Sequence, residues 1–326
     1  MIRFFSESNP VNIFLLFITG ALIRIPYFVN PEIPELFTDA GYVYSELHNR
    51  IFHLSSLYHW LSPAIAYLLL FLQGLALNSF VNSQKLYGSA HSLLLFSYVF
   101  FTALIPQWNE LTPFLFINTI MILVLPRLIG LFNKRNVQNE IFTLSVMISL
   151  CSLIYKPALI YLVLLYIALL ILRPFRFSEW ILVIIGFLLP YYLILVYCFV
   201  WDHWDQAPML IPLARFHQPV LSRNPSDLLA ILFLLIPVFS GLFYIQKYRV
   251  RILALQRKIW AFNFYYLLIG IILFLFIPNN GYDNLLLSFL PAAFYIAAFF
   301  HFAPVRFYTN MFAWLTLGFL LVRNFL

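Results

Sequence analysis

The sequence predicts an all-α, polytopic membrane protein. Of its 326 residues, 63% are hydrophobic and only 10% are charged, and the mean hydropathy is +0.91. Soluble domains are about half apolar and about a quarter charged. Long apolar runs alternate with short polar segments over the whole chain. We therefore expect a single integral membrane domain, residues 1–326, built as a bundle of transmembrane helices.

The apolar runs predict about eleven membrane spans, because a helix needs about twenty apolar residues to cross a bilayer. The predicted spans are 12–30, 58–81, 91–107, 112–132, 141–156, 157–173, 180–201, 228–246, 259–277, 284–302 and 307–324. The fifth and sixth are short and meet at Tyr155, Lys156 and Pro157 with almost no loop. Because proline interrupts a helix, the same stretch is also compatible with one long kinked helix or a re-entrant pair.

The distribution of charge predicts the orientation of the chain. With the N-terminus inside and eleven spans, thirteen of the nineteen Lys and Arg residues fall on the inner side, and nine of the twelve acids fall on the outer side. Short inner loops rich in Lys and Arg are the signature of the cytoplasmic face. We therefore predict a multi-pass membrane protein with a cytoplasmic N-terminus. The basic charge is a topology signal and does not indicate a nucleic-acid partner.

The N-terminal segment and the cysteines add two expectations. The first apolar run lacks a small-residue cleavage signal, so we predict a retained signal anchor. Cys151 and Cys198 both lie inside apolar segments, which argues against a disulfide framework or a thiolate metal site.

The first outer loop, residues 31–57, is the most acidic stretch of the chain. Its spacing predicts an amphipathic helix that lies in the membrane interface. The apolar stripe of that helix is Leu36, Ala40, Val43, Leu47, Ile51 and Leu54, and the polar stripe is Glu35, Asp39, Tyr42, Glu46 and Arg50.

Asp39 and Glu46 are the candidate catalytic residues. They are two helical turns apart on one face of the predicted helix. Asp39 or Thr38 would also suit the N-cap of that helix. An ionised carboxylate there is equally suited to act as a general base or to coordinate a divalent cation. The cofactor stays undetermined, with a divalent cation as one option.

Arg24 stands near the outer end of the first span. A guanidinium at that depth either snorkels to the interface or pairs with an acid of the following loop or with a ligand phosphate.

The DHWD segment groups three candidate substrate-binding residues, Asp202, His203 and Asp205, beside two tryptophans. Such a group suits a metal ion or a sugar ring. A tryptophan-rich interfacial belt accounts for it as well.

A set of outer cations completes the candidate substrate-binding residues: Lys156, Arg215, His217 and Arg223. Together with Arg24 they would suit a phosphate or diphosphate through charge-assisted hydrogen bonds. Pairing with the outer acids is the competing expectation.

The layout resembles the GT-C superfamily of membrane glycosyltransferases, which use polyprenyl-phosphate-linked sugars. The matching pieces are GALIRIPYF leading into FTDAGYVYSEL, and later SLIYKPALIYLVLLYIALLILRPFRFSEW. The opening MIRFFSESNPVN, YKPALIYL and ILRPFRFSEWILVIIGFLLPYYL are also similar to an uncharacterised family of multi-pass inner-membrane proteins in Bacteroidota. This resemblance implies that the chain lies in a bacterial inner (cytoplasmic) membrane.

The GT-C resemblance implies an inverting sugar transfer at the periplasmic face that modifies an envelope glycan or glycolipid. In that mechanism Asp39 is the base, and Glu46 or Glu35 assists it or holds a cation. Arg24, Lys156, Arg215 and Arg223 stabilise the departing phosphate.

Two other classes of function fit the composition. The first is a non-catalytic membrane subunit or scaffold of a larger envelope complex, because many aromatic helix faces suit packing against other membrane proteins. The second is a transporter, which ranks lower because the polar residues near mid-span are mostly amides such as Gln73, Asn78 and Asn118.

Overall fold

The computed structural model describes residues 5, 9–29, 39–48, 60–204, 207, 210, 224–248, 252–277 and 282–325. These residues form helices, turns and one isolated antiparallel bridge. The α-helices are α1 (Pro10–Ile23), α2 (Ile25–Val29), α3 (42–48), α4 (Leu61–Ser83), α5 (Leu93–Thr102), α6 (Pro113–Ile129), α7 (Gln138–Ile154), α8 (Tyr161–Leu172), α9 (Phe177–Val200), α10 (Pro225–Tyr248), α11 (Ala254–Phe276), α12 (Leu285–Phe302) and α13 (Arg306–Phe325). Two 3₁₀ turns, Pro106–Asn109 and Lys156–Ile160, precede α6 and α8.

Five of these helices, α4, α9, α10, α11 and α12, are long and apolar enough to cross a membrane. Each has 18 to 24 residues, and at 1.5 Å per residue the longer ones exceed the ~30 Å hydrocarbon core. Shorter apolar helices of 10–17 residues occupy most of the other predicted spans. The structure thus supports an all-helical protein with several membrane-spanning helices, and the count of eleven spans stays a prediction.

The 141–173 region forms two helices that run in opposite directions. Arg173, just after α8, donates from Nη1 to the carbonyl oxygens of Leu131 and Lys134, at 3.1 and 2.6 Å. Both carbonyls belong to the loop that leads into α7. The end of α8 therefore lies beside the start of α7, and the break predicted at Pro157 is a reversal of the chain.

The helix α12 is the centre of the bundle, and most of its side chains are fully buried. Two glycines bring its neighbours against its backbone. A Cβ at Gly241 of α10 would lie 1.9 Å from the Tyr295 carbonyl oxygen, and one at Gly270 of α11 would lie 2.6 Å from Ser288 Cα. Such close approach through small residues is a common way of packing helices in membranes.

The bundle has two ends that side-chain contacts define. At one end, Gln256 donates to the backbone of Lys85, and Arg173 joins the loop before α7. At the other end, Arg24 bonds to Asn109, and residues 39–41 pair with residues 154–156. We call these the basic end and the first-loop end. All the described candidate site residues belong to segments at the first-loop end: Arg24, Asp39, Glu46, Lys156, Asp202 and His203.

Candidate functional site

The first-loop segment is joined to the chain reversal between α7 and α8 by backbone hydrogen bonds. The Gly41 N–H donates to the Ile154 carbonyl at 2.8 Å, and the Lys156 N–H donates to the Asp39 carbonyl at 3.2 Å. Ala40 and Tyr155 form the antiparallel bridge between them. In this register Asp39 stands opposite Lys156. Two residues selected from distant parts of the sequence thus share one site, the Asp39–Lys156 junction.

Pro157 explains why the carbonyl of Ile154, at the end of α7, is able to accept a hydrogen bond from Gly41. Pro157 has no N–H, so it cannot donate to the carbonyl four residues earlier, and Tyr155 adopts an extended conformation. The Ala158 N–H donates to Tyr155 at 2.9 Å. The Ile154 carbonyl is therefore free of its helical partner and accepts from Gly41 instead.

Gly41 is required for the junction on steric grounds. A Cβ at this position would lie 2.0 Å from the Leu153 carbonyl oxygen. Gly41 also begins α3, because its carbonyl accepts from the Ser45 N–H at 3.0 Å. A lone glycine in an acidic loop gave no signal of this role in the sequence.

The predicted helix over 31–57 is confirmed at residues 42–48, which form α3, and is wrong at residues 39–41, which are not helical. Asp39 therefore lies before the helix and is buried, whereas Glu46 lies within it and is exposed. The two acids do not share a helical face. The expectation that Asp39 or Thr38 caps the helix also fails for Asp39, since Gly41 is the residue that directly precedes α3 and accepts its first helical hydrogen bond.

Tyr44 fixes α3 against the segment before α6, and Tyr42 lies near the end of α9. The Tyr44 hydroxyl donates to the Leu111 carbonyl at 3.1 Å, and burial, with the negative charge of Glu110 added, raises the pKa of Tyr44. Burial also raises the pKa of Tyr42, with further contributions from Cys198 and Glu46. The helix thus lies between the segment before α6 and the end of α9, and Glu46 lies close to Tyr42.

Arg24 is buried, which contradicts the expectation that it snorkels. Its guanidinium donates to Asn109 Oδ1 at 2.7 Å and to Thr102 Oγ1 at 2.8 Å. It also donates to the carbonyls of Val99 and Gly20, at 3.0 and 3.2 Å. All of these acceptors are neutral groups of the chain itself. These contacts favour a structural role that fixes α1 to α5, and substrate binding by Arg24 stays a prediction.

Asp202 and His203 form the end of α9. Asp202 has a φ of +56°, the left-handed conformation that commonly terminates helices. The His203 N–H donates back to the Cys198 carbonyl at 2.8 Å. Both residues are exposed, as are Trp201 and Trp204. This geometry accounts for the segment as a helix end in an aromatic interface.

The other candidates fall outside the described residues: Glu35, Asp205, Arg215, His217 and Arg223. Among the residues that the structure describes, no group of three or more His, Cys, Asp or Glu side chains is placed to hold a metal ion.

The mid-bundle amides bond to the chain itself. Gln73 accepts from the Tyr98 hydroxyl at 2.7 Å and donates to Thr119 Oγ1 at 2.7 Å. Asn118 donates to the Leu286 carbonyl at 3.0 Å. Internal partners of this kind favour a packing role for Gln73 and Asn118.

No family model, no curated protein and no solved structure matches this chain. The resemblances noted in the sequence therefore stay expectations. What can be argued about function rests on the Asp39–Lys156 junction.

Proposed function

We propose that this protein is a GT-C-type membrane glycosyltransferase that uses a polyprenyl-phosphate-linked sugar. The observation that supports the proposal is the junction, where the backbone holds a buried acid opposite a lysine beside apolar helices. Glycosyl transfer from a lipid phosphate requires a base for the acceptor and a cation for the leaving group.

In the proposed reaction, the Asp39 carboxylate takes the proton of the acceptor hydroxyl. The acceptor oxygen then forms a bond to the anomeric carbon while the bond from that carbon to the phosphate oxygen breaks. The electron pair leaves with the polyprenyl phosphate, and the Lys156 ammonium stabilises its negative charge. Attack from the face opposite the leaving group inverts the anomeric centre. Glu46 and Glu35 are proposed to assist, and Arg215, His217 and Arg223 to add positive charge.

The proposal includes a cellular arrangement. The chain crosses a bacterial inner membrane eleven times with a cytoplasmic N-terminus, which places the first-loop end in the periplasm. There the acceptor is an envelope glycan or glycolipid. Clustering of Lys85, Lys134 and Arg173 at the opposite end of the bundle supports this orientation.

Genetic complementation tests the proposal. Deletion of the gene should alter the envelope glycan profile measured by mass spectrometry, and the wild-type gene should restore it. Asp39→Asn and Lys156→Gln should insert at wild-type levels yet fail to restore the profile. The matched control is Glu140→Gln, a partly exposed acid in the first turn of α7, and it should restore the profile. Full restoration by Asp39→Asn would reject the proposed function.

A second candidate function is a non-catalytic subunit of an envelope complex. It is favoured by α13, which exposes a broad aromatic face that includes Phe307, Tyr308 and Trp314. Purification in a mild detergent separates the two functions. A stoichiometric co-purifying protein supports the subunit, and a monodisperse single chain counts against it.

A further inference from the structure

A cavity of about 290 Å³ lies between α10 and α11. Both helices pack on α12 through Gly241 and Gly270, so that a gap is left between them. Tyr295 of α12 forms part of the cavity lining. The cavity is far from the Asp39–Lys156 junction, since it lies toward the basic end of the bundle.

The lining changes from polar to apolar along the helices. Gln246 in the last turn of α10 and Arg257 in the first turn of α11 line its polar part. Leu242 and Phe264 line it further from the basic end. Arg257 and Phe264 are seven residues apart, or ~10 Å along a helix. This gradient matches a molecule with a charged head and an apolar tail.

The polar part is suited to an anion. None of the described residues that line the cavity is acidic, and Arg257 forms no ion pair within the described part of the chain. Trp260 also lines the cavity, is 5% exposed, and has a buried indole N–H without an acceptor among the described residues. A guanidinium, an amide and an indole N–H are all hydrogen-bond donors.

We infer that this cavity binds an anionic phospholipid, with its phosphodiester at Arg257 and one acyl chain between α10 and α11. Basic pockets between transmembrane helices are a recurrent form of lipid-headgroup site. The inference does not depend on the proposed function, because it uses other residues at the opposite end of the bundle.

Native mass spectrometry of the full chain in mild detergent tests the inference with two lipids, dioleoylphosphatidylglycerol and dioleoylphosphatidylcholine. The wild type should retain the anionic lipid in preference to the zwitterionic one. Arg257→Gln should weaken binding of phosphatidylglycerol about tenfold, since it removes a charged hydrogen-bond donor. Equal retention of the two lipids by the wild type would overturn the inference.

Two further variants separate a site from a general surface charge. Ala261→Phe fills the cavity without a change of charge and should also weaken phosphatidylglycerol binding, which keeps the inference testable if Arg257→Gln does not fold. Arg127→Gln removes an exposed charge in the last turn of α6 and should leave binding unchanged. An equal loss in Arg127→Gln and Arg257→Gln would overturn the inference, as would displacement of the lipid by inorganic phosphate.

Discussion

Single residues decide how the polar segments of this protein are held. The sequence places Arg24 near the outer end of a span, where a guanidinium either snorkels to the interface or pairs with another group. The burial of Arg24 contradicts the first of these expectations. The groups that accept hydrogen bonds from Arg24 include Asn109 and Thr102, which lie far along the chain. A local sequence pattern around Arg24 cannot predict them.

Replacement of Gly41 should open the Asp39–Lys156 junction. In Gly41→Ala the new Cβ would overlap the Leu153 carbonyl, and we expect a loss of about 1–3 kcal/mol in the free energy of unfolding, as for other overpacked sites. Thermal unfolding in detergent measures this loss. Gly318→Ala is the control, because a Cβ there meets nothing within 4 Å. It should be neutral or slightly stabilising, and an equal loss in both variants would contradict the steric argument.

At the scale of helices, the sequence predicts the bounds of a helix closely where one apolar run forms one helix. The predicted spans 180–201 and 284–302 correspond to α9 and α12 within a few residues. The chain break at Pro157 was also identified, because proline acts locally. The prediction of an amphipathic helix over 31–57 is wrong at Asp39. The neighbouring residue Ala40 forms an antiparallel bridge with Tyr155, and this pairing replaces helical structure there.

The buried ion pair between Arg173 and Glu179 should be essential for joining α8 to α9. Their closest N–O distance is 3.0 Å, and both side chains are 5% exposed. Glu179→Gln leaves the guanidinium without its counter-charge, so we expect a loss of about 3–5 kcal/mol in the free energy of unfolding.

The pair of Lys134 and Glu140, at 3.9 Å, provides the contrast, because its side chains are 55% and 40% exposed. Glu140→Gln should change the free energy of unfolding by no more than about 1 kcal/mol. Tryptophan fluorescence during denaturation measures both variants. Similar effects of the two substitutions would contradict the assignment of Glu179 as a buried partner.

The whole molecule should lose stability as the pH falls, in part through His91. This residue lies in the loop before α5, and its ring nitrogens are buried without a hydrogen-bond partner in the described part of the chain. Burial, and then the neighbouring His301, lowers the pKa of His91 from 6.5 to about 4. The unfolded chain therefore binds more protons than the folded protein between these values. The contribution of neutral His91 to the free energy of unfolding is fully present above its pKa in the unfolded chain. It is lost as the pH falls toward its pKa in the folded protein.

Thermal unfolding at about pH 7 and about pH 5 measures this dependence. His91→Phe should reduce the difference in Tm between the two conditions, because it removes the titrating ring. His203→Phe removes an exposed histidine at the other end of the bundle and should keep the wild-type difference. An unchanged difference in His91→Phe would contradict the assignment.

The junction also has a consequence for the order in which the protein is made. Residues 39–41 leave the ribosome long before residues 154–156, and their partner carbonyl on Ile154 exists only after α7 has been synthesised. During insertion, the segment that contains Asp39 therefore cannot form these hydrogen bonds until residues 154–156 have been synthesised. Assembly of the Asp39–Lys156 junction is for that reason a late event, and a nascent chain that ends before residue 154 carries Asp39 without the segment that anchors it.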